Sequence, residues 1–106
     1  MGFFDFLHSP DIDQGIKEYR ETNGSVLLDV RTPQEYRSCH IPGSKNIPLR
    51  ELGRISTAAG KDSPLFVYCR SGARSRQAVA QLQRMGYLHV KNIGGIAAYT
   101  GKVESL

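Results

Sequence analysis

One cysteine stands among residues suited to surround a nucleophile: Tyr68-Cys69-Arg70-Ser71-Gly72-Ala73-Arg74-Ser75. The stretch before it, Leu65-Phe66-Val67-Tyr68, is the continuous apolar run of a strand buried on both faces. A helical pattern starts at Ala73. Cys69 therefore lies at the carboxyl end of a strand, where parallel α/β sheets bind their ligands. Loop amides turned inward, together with the helix N-terminus, make a nest for negative charge. A thiolate placed there is stabilised, so its pKa is expected below that of a free cysteine. Arg70 and Arg74 add positive charge, and between Lys61 and Lys91 only Asp62 opposes them. Free cysteine is commonly just a small buried residue. Packing alone, however, does not ask for Arg, Ser and Gly at a strand–helix turn, so the nucleophile is the stronger interpretation.

The loop length bears on the chemistry. Phosphatases that form a cysteinyl-phosphate place five residues between Cys and the closing Arg. Here four residues (Arg70, Ser71, Gly72, Ala73) precede Arg74, and Ser75 takes the phosphatase position. A shorter loop makes a smaller cradle, better matched to a terminal sulfur than to a tetrahedral phosphate. That comparison favours sulfur transfer.

The elements that must hold this loop can be followed along the chain. Ser9 as N-cap and Pro10 at the first helical position predict a helix to Tyr19, with Ile12, Ile16 and Tyr19 on one face. Val26 to Val30 is a second buried strand, and Thr32-Pro33-Gln34-Glu35 is a capping box that opens a short helix. His40-Ile41-Pro42-Gly43 is a turn, Ser44 to Ile47 a short strand, Pro48 to Ile55 a short helix and Ala59 to Pro64 a loop. The helix from Ala73 to Met85 buries Ala78, Val79, Leu82 and Met85, and Gly86 stops it in the C′ role. Val90 to Ile93 is a third strand, Gly94-Gly95 a turn and Ile96 to Tyr99 a last helical turn. Strands alternating with helices predict a mostly parallel sheet with helices packed on it.

Composition sets the outer limits. The 106 residues hold one compact domain, 40% apolar and 23% charged, within the globular range. No apolar run approaches the roughly 20 residues of a bilayer span. Met1 to Leu7 is a poor signal peptide, and Phe6 stands where a myristoylation site wants Ser or Thr. The expected location is the cytoplasm, with no membrane partner. Net charge is +4 and uneven: residues 1–30 carry −4, 31–60 +3 and 61–91 +5. The basic excess around Arg70, Arg74, Arg76 and Arg84 suits a small anionic substrate. With no Trp and no run of aromatics near those arginines there is no base-stacking platform, so nucleic acid is not expected. Cys39 and Cys69 form no CxxC and have no His at metal-ligand spacing, so each is judged as a single thiol.

Three blocks together resemble the rhodanese family in its single-domain form. Leu28-Asp29-Val30-Arg31 leads into Glu35-Tyr36-Arg37-Ser38-Cys39-His40-Ile41-Pro42-Gly43-Ser44-Lys45-Asn46-Ile47, similar to the family's signature of an aromatic, three residues, then His-Ile-Pro-Gly. Cys69 to Ser75 resembles the active-site loop. Asn92-Ile93-Gly94-Gly95-Ile96-Ala97-Ala98-Tyr99 resembles the closing block, in which a double glycine precedes an aromatic. The blocks span 26–99 of a single domain, 1–106, in the family's order and spacing.

The resemblance implies a three-layer α/β/α fold with a mostly parallel five-stranded sheet. It also implies a Cys69 persulfide as covalent intermediate in double displacement, fed by thiosulfate or another sulfane donor and drained by cyanide or a thiol, protein thiols included. Arg70 and Arg74 are expected to guide the anionic donor. The amides of Arg70, Ser71, Gly72, Ala73 and Arg74, with the Ser75 hydroxyl, are expected to hold the sulfur anion. No metal and no organic cofactor is implied. Two alternatives are kept: a persulfide carrier serving a dedicated protein partner, and a cysteine-dependent arsenate reductase or phosphatase, which the short loop disfavours. Cys39 departs from the family's usual glycine, Ser44 from its alanine and Tyr99 from its tryptophan. His40 is expected to be structural, His8 and His89 solvated, and Asp29 with Arg31 to tie loops together. Residues 3–7 supply either the first strand or a short capping helix.

Overall fold

Continuous apolar strands need cover on both faces, and the alternation of side chains along them divides the core in two. In a computed structural model, which describes residues 10–106, the chain forms α1 (Ile12–Glu21), β1 (Val26–Asp29), α2 (Pro33–Ser38) and β2 (Lys45–Asn46). A 3-10 stretch (Leu49–Thr57), β3 (Leu65–Cys69), α3 (Ala73–Arg84), β4 (Val90–Gly95) and a 3-10 turn (Ile96–Ala98) follow. The strands lie side by side in the order β2-β1-β3-β4, and every pair is parallel. Leu28, Val30, Leu65, Val67 and Cys69 face one side, against Ala78 and Leu82 of α3 and Leu52 and Ile55 of the 3-10 stretch. Leu27, Phe66, Tyr68 and Ile93 face the other, against Ile12 and Ile16 of α1. Each fully buried Leu or Ile contributes about 2 kcal/mol. The α/β class is as expected. The described residues supply four strands rather than five; the fifth, and the choice of strand or helix for residues 3–7, lie outside them.

Several boundaries differ from the sequence expectation, each for a local reason. α1 starts at Ile12, because Asp11 rather than Ser9 is its N-cap: Oδ1 of Asp11 accepts from the Gln14 N–H at 3.3 Å. The helix continues past Tyr19 to Glu21, where the Thr22 hydroxyl donates to the Glu18 carbonyl at 2.6 Å. α2 opens with the expected capping box, reciprocal between Thr32 and Glu35. The short helix after Pro48 is 3-10 in character, bends at Glu51 and runs to Thr57. Gly94-Gly95 is not a turn: β4 continues through both glycines, and the register slips from Val67 opposite Asn92 to Tyr68 opposite Gly94. Gly94 makes this bulge possible with a φ of +105°, a left-handed conformation natural to glycine. α3 ends one residue early at Arg84, with Met85 as C-cap and Gly86 (φ +97°) beyond it.

The chain runs from β1 outward to β2 and then back to β3 on the other side. The loops after β1 and β3 therefore diverge, and a crevice opens between the strand ends.

Candidate active site

Cys69 is the last residue of β3, and strand alternation turns its side chain to the α3 face, where it is 1% exposed. Ser71 and Gly72 then reverse the chain into α3. Gly72 is the helix N-cap, with φ +102°, and this left-handed turn aims its N–H at Cys69 Sγ, 3.0 Å away. The Ser75 hydroxyl lies 3.5 Å from the same sulfur. Burial pushes the Cys69 thiol up, but the Ser75 hydroxyl and the amides of Ser75, Gly72 and Ser71 more than offset it, so the pKa lies below the ordinary thiol value. The N-terminal end of α3 adds its positive potential to the same point. The arrangement can hold negative charge on the Cys69 sulfur.

The cradle rests on β4. Asn92 Oδ1 accepts from the Ser75 hydroxyl at 2.7 Å and from the Gly94 N–H at 2.9 Å, while its Nδ2 donates to the Gly72 carbonyl at 3.3 Å. One amide side chain thus fixes the helix start, the loop and the bulge together. A Cβ on Gly95 would collide with the Arg70 carbonyl and the Ser71 Cα, so the loop lies directly on that glycine. The Ala97 N–H donates to the Arg70 carbonyl at 3.1 Å and pins the loop from the far side.

The two expected donor-guiding arginines are differently placed. Arg70 is exposed and has no ion-pair partner among the described residues. Arg74 is clamped: Nη1 and Nη2 donate to the two oxygens of Glu35 at 2.7 and 3.0 Å. Glu35 also accepts from the backbone N–H and hydroxyl of Thr32 in the capping box. The Arg74 guanidinium, foremost, holds the Glu35 carboxyl down to about 2. Ala73 begins α3 at the surface, and Arg76 projects into solvent.

Neighbouring residues brace the site. Arg31 grips Asp29 through Nη2 to Oδ2 at 2.7 Å and donates to the Cys39 carbonyl at 2.6 Å, tying the end of β1 to the end of α2. His40 is structural: it stacks on the Tyr36 ring at 3.9 Å, with Nδ1 2.8 Å from the Tyr36 carbonyl and Nε2 3.3 Å from Glu104. The Tyr68 hydroxyl donates to Ser44 Oγ and accepts from the Ile41 N–H, so Ser44 answers a buried phenol. Cys39 is a half-buried free thiol at the C-cap of α2, and His89 is exposed. Among the described residues no cluster of His, Cys, Asp and Glu could hold a metal ion, and no helix is long and apolar enough to cross a membrane. Beside the loop, an open cleft of about 190 Å3 is walled by Val30, Pro33, Pro48 and Leu49, with Arg50 and Arg74 at its polar side.

Sequence reasoning missed Glu35 and Asn92 as members of the site. Glu35 was legible as a helix cap and as the first residue of the His-Ile-Pro-Gly block, and Asn92 only as part of the closing block.

Comparison with known proteins agrees with this geometry. Residues 13–102 match the model of the rhodanese-like domain. The chain is 46% identical over 71 residues to the thiosulfate sulfurtransferase PspE of Escherichia coli, covering 65% of this chain and 68% of that one. It is 40% identical over 80 residues to a sulfurtransferase of Allochromatium vinosum, covering 74% and 75%. A solved structure of a rhodanese with anions from Escherichia coli superposes with a TM-score of 0.72 at 40% identity, covering 76% of this chain and 98% of that one. With the cysteine loop, the capped Glu35 helix and the double-glycine strand in place, this chain belongs to the rhodanese-like domain family.

Proposed function

We propose that the protein is a sulfurtransferase that carries a sulfane sulfur on Cys69 as a persulfide, taking it from thiosulfate or a similar donor and passing it to a thiol or cyanide. The observation that supports this best is the convergence of the Gly72 amide and the Ser75 hydroxyl on a buried Sγ at the start of α3. In the first step the Cys69 thiolate attacks the outer sulfur of the donor. A new S–S bond forms, the donor's own S–S bond breaks, and sulfite leaves with the electron pair. In the second step an acceptor thiolate attacks the outer sulfur of the persulfide, and Cys69 Sγ takes back the electron pair. Charge sits on sulfur at the end of each step, and fixed amides stabilise it without reorganising.

Arg70, exposed at the loop and without an ion-pair partner among the described residues, serves as the guide for the anionic donor. Ser71, Gly72, Ala73 and Ser75 form the cradle. The two free thiols fit a reducing compartment, the cytoplasm. Intact-protein mass spectrometry after brief exposure to thiosulfate tests the reading on wild type, Cys69→Ser and Cys39→Ser. One added sulfur atom that is lost only in Cys69→Ser is expected. No adduct on folded wild-type protein overturns thiosulfate as donor, and loss in Cys39→Ser as well gives the second thiol a part. Persulfide formation with negligible turnover to small thiols would instead favour the carrier reading, in which a protein partner takes the sulfur.

A further inference from the structure

Arg74 stands five residues after Cys69, in the first turn of the helix whose start cradles the thiol. Its charge is nonetheless spoken for. The fork-on-fork contact with Glu35 places both nitrogens within 3.0 Å of the two carboxylate oxygens. Glu35 stays ionised far below neutral pH, so the pair is net neutral wherever the enzyme works.

The same arginine closes one side of the cleft whose other walls are Val30, Thr32, Pro33, Pro48, Leu49 and Arg50. Asp29 is registered against Tyr68, so Val30 follows level with Cys69 on the neighbouring strand, about 4.8 Å across the sheet. Both side chains lie in the same core cluster. Sulfur cradle and cleft therefore share the side formed by Val30 and Arg74, where the cation is masked, while Arg50 lines the cleft as an exposed cation.

We propose that Glu35 is a specificity-determining residue of the Cys69 site, which by masking Arg74 favours sulfane donors with a single negative charge and an apolar body over the thiosulfate dianion. The inference rests on the persulfide reading above. An organic thiosulfonate, R–SO2–S⁻, is such a donor. The Cys69 thiolate attacks its outer sulfur, the donor S–S bond breaks, and the sulfinate R–SO2⁻ leaves with the electron pair. The persulfide is the one that thiosulfate would leave, and no oxidant or reductant is consumed. Unmasking Arg74 adds one positive charge, which attracts a dianion with twice the energy of a monoanion. Across several ångströms at a water-like dielectric this difference is worth about three-fold in relative kcat/KM.

The test measures kcat/KM for thiosulfate and for propanethiosulfonate at low ionic strength, using wild type, Glu35→Gln, Arg74→Gln and the double variant. Gln keeps the capping-box contacts of α2 and one acceptor for Arg74, and circular dichroism checks the fold of each variant. The ratio of thiosulfate to thiosulfonate efficiency should rise about three-fold in Glu35→Gln through KM. It should fall by a similar factor in Arg74→Gln, which bares the carboxylate, and lie between the two in the double variant. A merely structural Glu35 predicts that both single changes harm both donors together; that result, or an unmoved ratio, overturns the inference alone. Absence of the mass adduct with both donors on wild type overturns the persulfide reading and the inference with it.

Discussion

At the scale of the residue, the chemistry turns on one proton. The Ser75 hydroxyl has a single hydrogen and three acceptors: Asn92 Oδ1 at 2.7 Å, the Gly72 carbonyl at 3.1 Å and Cys69 Sγ at 3.5 Å. Distance favours Asn92, so the thiol form of Cys69 donates toward Ser75 while Ser75 donates onward. The thiolate then leans chiefly on backbone amides, which no side-chain substitution removes. Ser75→Ala is expected to raise the Cys69 pKa, because a hydrogen bond to the sulfur is lost, without abolishing its depression. The pH dependence of iodoacetamide alkylation in a Cys39→Ser background reads this directly. A pKa that does not move contradicts the contribution of the Ser75 hydroxyl, and one that rises into the range of a buried apolar thiol contradicts the assignment of the amides as the main support. Asn92→Ala strips partners from the Gly72 carbonyl, the Gly94 N–H and Ser75 at once. It should cost about 1–3 kcal/mol in denaturant unfolding.

At the scale of the element, the loop after β3 is held between two supports, β4 beneath it and α2 beside it. Gly95 lets β4 pass directly under Arg70 and Ser71, so Gly95→Ala must push the loop off its seat. Persulfide formation should fall more than ten-fold, alongside about 1–3 kcal/mol of stability, by mass spectrometry and thermal melting. The second support carries a pH signature. Glu35 is held at about 2 in the folded chain, against an ordinary value of 4.5, so its unfolded form binds the proton first. Its contribution is thus complete above about pH 4.5 and drains away as pH falls toward 2. The melting temperatures of wild type and Glu35→Gln should differ near neutrality and converge at pH 2. Because both side chains are about a third exposed, the gap corresponds to about 1 kcal/mol. A gap that widens in acid would mean that the pair does not form.

At the scale of the whole molecule, what was legible in the sequence was what neighbours in the chain decide. The buried strands, the Thr32–Glu35 capping box, Gly86 beyond α3 and the Cys69 turn all follow from a few adjacent residues. Contacts across long separations were not legible: Glu35 lies 39 positions from Arg74, and Asn92 lies 17 from Ser75. A double glycine reads locally as a turn, and only the partner strand shows that β4 runs on through Gly94-Gly95 after a bulge between Asn92 and Gly94. Ion pairs, local and long-range, also reshape the charge read from composition. Glu18 takes Lys91, Glu51 takes Arg54 and Glu35 takes Arg74, which among the described residues leaves Arg50 and Arg70 as the exposed cations at the cleft and the loop. On the proposed function, steering of an anionic donor falls largely to Arg70, and exposed charges act over only about 8–10 Å at physiological salt. Thiosulfate kcat/KM should accordingly drop about two- to five-fold between 20 and 300 mM salt, and Arg70→Ala should flatten that slope as well as lower its starting point. The rate of the second half-reaction with dithiothreitol, an uncharged acceptor, should show little of this dependence. A wild-type slope that survives intact in Arg70→Ala would move the steering from the loop to the general field of the +4 chain.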